Sequence, residues 1–248
     1  MSFEFLAPDA ARAVDGKQPA MRSPIEWTHR ASGAELDHRA GWRVVTGYGA
    51  IGKETAACRN SVGVADLSFL GKLELQGEPA VVSSIVGQLA GGAALEPGRA
   101  ALADEVWWCP ITASRVLAVT PPELTGQLRD DLEAAASNAQ FASVEELTAA
   151  LGSNAVVGPL AREAFARTTA LDLRPDRFGE RAFAPVSVAR TPGMVLRQGG
   201  DHFLHLLGAG FAQYTWTVFT DAAKHLGGRA VGVEALRASM RGEVETGA

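Results

Sequence analysis

Asp104 and Glu105, followed by Trp107 and Trp108, form the most chemically suggestive cluster in this chain. A carboxylate beside aromatic surface is desolvated, holds its proton to higher pH, and can bind a cationic amine or a ring nitrogen of a planar ligand. The same residues also read as a solvated turn before a strand whose tryptophans fill the core. Both readings stand at this point. Which of the two carboxylates points inward is equally open, because a one-residue change of strand register exchanges the two faces.

Other candidates read more plainly. Asp66 lies just before a predicted strand, among residues that favour burial (Val64, Leu67, Phe69), and reads as a cap or turn acceptor. His202 and His205 are three apart on a predicted strand and so face opposite sides, which argues against a metal pair. Gly208-Ala209-Gly210 has the position of a dinucleotide loop, but Gln213 stands where the third glycine belongs and no acidic ribose partner follows. It reads as a tight strand-to-helix turn. No serine sits in a Gly-x-Ser-x-Gly elbow, and neither Cys58 nor Cys109 has a histidine nearby in sequence.

The elements that must position these residues follow from periodicity. Leu73 and Leu75 alternate with Lys72, Glu74 and Gln76, the period of a half-buried strand that Gly77 ends. A short helix over Glu54 to Asn60 precedes it. Pro79 then opens a helix with Val81, Val82, Ile85, Val86 and Leu89 at helical spacing, since a proline in the first turn removes no needed donor. The same order recurs later: a strand over Ala155 to Val157, Gly158, Pro159, and a helix with Leu160, Ala164, Phe165 and Thr168 on one face. Glu163 and Arg167, four apart, support that helix. "DEVWWCPI" and "RVLAVTPPEL" read as a hairpin around Thr112 to Ser114, feeding a helix through Leu124, Leu128 and Leu132. Near the end, a strand in "HFLHLL" leads to a helix whose inner stripe is Phe211, Thr215, Val218, Phe219, Ala222 and Leu226. Lys224 and His225 suit its last turn, and Gly227 or Gly228 its left-handed stop. The repeated order predicts an α+β fold of two related α+β halves with antiparallel sheets.

Composition bounds the function. With 248 residues, 47% hydrophobic and 21% charged, the chain can bury a sizeable core. A net charge of −5 and no basic run argue against nucleic acid as a partner. No apolar run approaches the roughly 20 residues of a membrane span. Two cysteines without metal-ligand spacing fit a reducing compartment, and Glu4, Asp9 and Asp15 leave no signal-like apolar core near the start. The expectation is a cytoplasmic protein with a polar arm over residues 1–22, one domain over 23–243 and a tail over 244–248.

The order of the motifs carries a resemblance. "SPIEWTHRASGAELDHRAGWRVVTGYG", "KETAACRNSVGVADLSFLGKLELQG" and "ADEVWWCPITASRVLAVT" follow one another as in the folate-binding domain of aminomethyltransferases, the glycine cleavage T-protein family. The family's Ala-Gly-Trp is present as Ala40, Gly41 and Trp42, and its Gly-Val-x-Asp-x-Ser as Gly63, Val64, Asp66 and Ser68. From residue 143 onward the chain resembles the gamma subunit of heterotetrameric sarcosine oxidase, through Gly-Pro-x-Ala-Arg at 158–162, "LDLRPDRF" at 171–178 and the aromatic helix after "HFLHLL". That subunit belongs to the same superfamily.

The resemblance implies a T-protein-like folate-binding domain. Asp104 or Glu105 matches the place of the family's catalytic aspartate, and Asp104, Trp107, Thr120 and Arg241 fall where tetrahydrofolate would be held. Thr120 replaces the family's asparagine, and Gly200 stands about where a glutamate would be. "SMRGE" resembles the family's Leu-Arg-x-Glu and offers Arg241 and Glu243. The implied function is a gamma-like subunit of a sarcosine oxidase or related amine-demethylating complex, with flavin only on partner subunits and an N-methyl amine as substrate. The alternative is a stand-alone tetrahydrofolate-dependent aminomethyltransferase.

Overall fold

The structure is a computed structural model describing residues 20–246, with side chains described as far as Met240. Most of the expected arm, the side chains of Arg241 and Glu243, and residues 247–248 lie outside the described residues. The chain runs through α1 (Glu26–Ala31), β1 (Glu35–Arg39), β2 (Trp42–Gly47), α2 (Ile51–Asn60), β3 (Gly63–Asp66), β4 (Gly71–Gln76) and α3 (Pro79–Leu89). Next come β5 (Ala101–Ala103), β6 (Val106–Thr112), β7 (Arg115–Thr120), α4 (Thr125–Ser137) and β8 (Ser143–Glu146). The remainder is β9 (Leu151–Val157), α5 (Ala161–Ala166), β10 (Phe183–Val188), β11 (Thr191–Gly199), β12 (His202–Gly208), α6 (Ala212–His225), β13 (Arg229–Ala230) and α7 (Val233–Thr246).

Two related halves emerge. One sheet has the order β5-β6-β7-β4-β8 and the other β10-β11-β12-β9-β3-β13. Both halves follow a β-α-β-β-α-β plan with one added edge strand, β5 in the first and β10 in the second. The second sheet differs by one insertion: β3, from the first part of the chain, lies between β9 and β13. All strand pairs are antiparallel except β3 with β13.

The two sheets face each other. Cys109, Leu117 and Val119 of the first pack with Phe183, Leu196, Leu204 and Leu206 of the second. On the outer face of the first sheet, Leu73, Leu75 and Trp108 meet Val82, Ile85 and Val86 of α3 and Leu128 and Leu132 of α4. On the second, Val156 and Phe203 meet Phe165 of α5 and Trp216 and Phe219 of α6. The result is a helix–sheet–sheet–helix stack with both sheets covered. The Glu163–Arg167 pair forms at 2.7 Å, and Gly227 takes φ +76 to end α6.

Three expectations are corrected. Strand β4 is an interior strand of a sheet covered on both sides, so both of its faces are buried, Lys72 and Glu74 included. Alternation reports which residues share a face but not whether the polar face meets water. Asp66 is itself the last residue of a strand, β3, and is separated from the expected strand β4 by residues 67–70; the β1–β2 hairpin comes earlier, turned by Ala40 and Gly41 at φ 47 and 78. The inner stripe of α6 is shifted: Ala212, Thr215, Trp216, Phe219 and Ala223 are buried, while Phe211 is exposed in a 3-10 turn before the helix. That turn rotates the register of the helix relative to the strand.

Candidate functional site

Residues 67–70 link β3 in one sheet to β4 in the other. Both backbone polar atoms of Leu67 and both of Ser68 are hydrogen-bonded. Asp66 Oδ1 accepts from Ser68 N at 2.9 Å and Ser68 Oγ at 2.6 Å. Leu67 N donates to Ser153 O at 2.8 Å, and Ser153 Oγ donates to Leu67 O at 2.6 Å. Lys72 Nζ donates to Ser68 O at 2.7 Å. Gly71 lets the link close tightly, because a Cβ there would collide with the side chains of Thr125 and Thr120.

Behind the link lies a buried polar chain. His29 Nε2 donates to Asp66 Oδ2 at 2.8 Å, the Tyr48 hydroxyl is 2.8 Å from His29 Nδ1, and Ser23 Oγ also donates to Asp66. Burial works to raise the Asp66 carboxyl, but the His29 hydrogen bond and charge, with those of Ser23 and Ser68, outweigh it and hold it below its ordinary value. Burial pushes the Lys72 amine down to about 7 against the opposing pull of Asp66. Burial, then the charges of Asp66 and Glu54, raise the Tyr48 phenol.

In front of the link is a cleft of about 360 Å³, within the usual range for small-molecule sites. Leu67, Phe69 and Leu70 form one wall, Val233, Leu236 and Met240 of α7 another, and Pro121 and Pro122 the third. Glu105, Glu123, Arg39 and Arg237 supply its polar groups. Arg39 is already committed, to Glu234 at 2.5 Å and Asp37 at 3.3 Å. A void of about 10 Å³, space for roughly one water, sits beside Asp66 and shares Val44 and Phe69 with the cleft.

The residues singled out by sequence divide around this cleft. Asp104 and Glu105 are the central pair of a two-residue turn between β5 and β6, at φ 48 and 65. These angles belong to a type I′ hairpin. Both carboxylates are exposed and not desolvated against the tryptophans; Glu105 lines the cleft and Asp104 does not. Trp107 is half-buried between the sheets, and Trp108 is buried against the helices. Thr120 is 1% exposed, directly before Pro121, and its hydroxyl has no hydrogen-bond partner among the described residues. Gly200 lies at the β11–β12 turn, outside the lining. The Arg241 side chain is outside the described residues.

Sequence reasoning missed Lys72 and His29. Lys72 was hidden by its alternating neighbours, and His29 is 37 residues from Asp66 with no local signal. His205, by contrast, is fully buried without a partner for either ring nitrogen among the described residues, packed by Phe165 and Phe219. No group of three metal-ligating side chains occurs among the described residues, and no described helix is long and apolar enough to cross a membrane.

Comparison with known proteins identifies this architecture. The model of the GCVT N-terminal domain matches residues 25–247. The chain belongs to the GCVT N-terminal domain family. It is 27% identical over 222 residues to an aminomethyltransferase of Streptomyces coelicolor, covering 83% of this chain and 58% of that protein. The chain therefore spans less than two thirds of that relative's length. Glycine cleavage system aminomethyltransferase T from Bartonella henselae superposes with a TM-score of 0.73 at 20% identity, over 87% of this chain and 60% of that one. A chain of heterotetrameric sarcosine oxidase from Corynebacterium sp. U-96 superposes with a TM-score of 0.63 at 20% identity, over 72% of this chain and 93% of that one. These two structures share the mixed α+β fold with antiparallel sheets, as expected for a GCVT domain.

Proposed function

We propose that this GCVT-family chain is a gamma-like subunit of a sarcosine oxidase or related amine-demethylating complex, and that its cleft takes the planar ring of a reduced folate. In such a complex the oxidation of the N-methyl amine, with its flavin, belongs to other subunits. The carrying observation is the cleft itself: it has the size and apolar walls for a ring, yet the one predicted acid in its lining, Glu105, sits on an exposed turn. An exposed carboxylate is poorly placed for the proton transfers of a self-sufficient enzyme. The apolar walls fit a folate ring, while the Thr120 hydroxyl is buried behind Pro121 and does not reach the lining.

Two further features support a subunit. The match to the sarcosine oxidase chain covers nearly all of that chain. Trp27 is 79% exposed on α1, next to Thr28, which bonds Gln213 between the exposed Phe211 and Tyr214. Aromatic surface of this kind suits an interface.

The second reading, a stand-alone aminomethyltransferase, is favoured by Glu105 at the cleft. Titration with 5-formyltetrahydrofolate, together with an assay of tetrahydrofolate-dependent aminomethyl transfer, separates the two. Saturable binding without turnover by the purified chain is expected. Turnover abolished by Glu105→Gln would establish the second reading, and no binding by folded protein would remove folate from both.

A further inference from the structure

A second cleft lies between α2 and the end of α6. Its volume is about 560 Å³ and its lining is Lys53, Ala56, Ala57, Asn60, Ser61, Lys224, Gly227, Gly228 and Arg229. Three of these are cations and none is an acid. This is unusual for the molecule, whose net charge is −5 and whose arginines are largely matched with carboxylates, as in Arg115–Glu74, Arg162–Asp201 and Arg167–Glu163. Lys53, Lys224 and Arg229 make no ion pair among the described residues. Glu54, next to Lys53 in sequence, is turned away and buried, its carboxylate accepting from Tyr48 N, Ala50 N and Gly232 N.

The ordinary role for such cations is to neutralise helix C-termini, and α2 and α6 both finish here; Lys224 lies in the last turn of α6, whereas Lys53 lies in the first turn of α2, away from that end. Each C-terminus presents about half a negative charge, so the two together offset about one of the three cations. Much of that partial charge is already answered: Ser61 Oγ donates to Leu226 O at 2.7 Å, Gly227 N to Lys224 O at 3.1 Å and Gly228 N to Ala223 O at 2.8 Å. Roughly two positive charges remain without a counterpart in an open concave site. Gly228 shapes the floor, because a Cβ there would collide with the Val62 carbonyl. Asn60 adds an amide, a neutral donor beside the cations.

We infer that this cleft binds a small, multiply charged, phosphate-bearing anion through Lys53, Lys224 and Arg229. Phosphate oxygens match both the ammonium donors and the planar guanidinium fork. The site is independent of the folate reading, since it shares no lining residue with the first cleft.

The test is calorimetric titration of the full chain with inorganic pyrophosphate at low salt, beside the K53Q/K224Q variant, with tricarballylate as a carboxylate control. Both lysines are exposed, so melting temperature should hold. The expected result is saturable pyrophosphate binding that weakens about tenfold or more in the variant and falls as salt is added. The single variant Lys53→Gln should lie between the two. Absence of saturable heat at about 10 mM pyrophosphate, enough to fill even a millimolar site, would overturn the proposal. So would equal affinity in the variant, or tricarballylate binding as tightly as pyrophosphate. A fall in melting temperature with affinity unchanged would leave the lysines a purely structural role.

Discussion

Lys72 reaches back from the middle of a covered sheet to the Ser68 carbonyl, 2.7 Å away, and so ties the buried strand to the link that walls the cleft. Its burial makes the tie sensitive to pH. The folded amine releases its proton near 7, whereas the unfolded amine keeps it to about its ordinary 10.5. Between those values the unfolded chain binds more protons, so stability rises with pH, by on the order of 1 kcal/mol per unit. Below 7 both states are protonated and this contribution is flat. Urea unfolding at pH 6.5, 8 and 9.5 should show the rise in the wild type and its absence in Lys72→Met; parallel pH profiles would disprove it.

His205 gives a second window of the same sign, on the acid side. Burial lowers its folded value to about 4 from an ordinary 6.5, so the native ring stays neutral while the unfolded ring takes up a proton. Stability therefore falls as pH drops from 6.5 towards 4, by up to about 1.4 kcal/mol per unit. His205→Phe removes both unpartnered nitrogens from an aromatic surround and should lose this slope. Thermal midpoints at pH 7 and pH 5 measure it, and an unchanged acid slope would exclude His205 as the cause.

Asp66→Ala leaves His29, Ser68 and Ser23 facing a buried gap. Removing the carboxylate at the centre of a buried hydrogen-bonded network costs about 1–3 kcal/mol or more, and the loss should appear in equilibrium unfolding at pH 7. It should be smaller at low pH: the Asp66 contribution is fully present above the ordinary carboxylate value and is lost as pH falls through its lower folded value. A cost under about 1 kcal/mol would mean that the link is held by Lys72 and Ser153 alone.

The β5–β6 turn predicts a gain. Asp104 and Glu105 both hold positive φ, a geometry that asparagine and glycine adopt with less strain. The D104N/E105G pair should stabilise the fold by about 0.5–1 kcal/mol, measured as a higher urea midpoint with an unchanged slope. If the pair destabilises, the turn is held by contacts of those carboxylates and not by backbone geometry.

Much of the scaffold was legible in the sequence. Strand, Gly, Pro and helix recur at Gly77-Pro79 and Gly158-Pro159 because each half needs the same tight exit from a strand into a helix. Asp66 was readable as a turn acceptor, since its bond to Ser68 N is local. Its pairing with His29 was not, because only the tertiary fold brings α1 beside β3. Lys72 and Glu74 carried the pattern of a wet strand face, and nothing local records that a second sheet covers it. The tryptophans after Glu105 suggested a buried acid; the backbone turn that places them points the acid to solvent instead.

The insertion of β3 into the later sheet also governs how this chain is made. Four residues, 63–66, pair with Val157 to Asn154 and with Arg229 and Ala230, partners that leave the ribosome about 90 and 165 residues later. Until then β3 is an apolar strand with open edges. The first half can gather its own sheet during synthesis, but the residues that join it to the second must wait. Separately expressed halves, cut near residue 150, should be aggregation-prone for this reason, and the native core should lock only when nearly the whole domain has emerged.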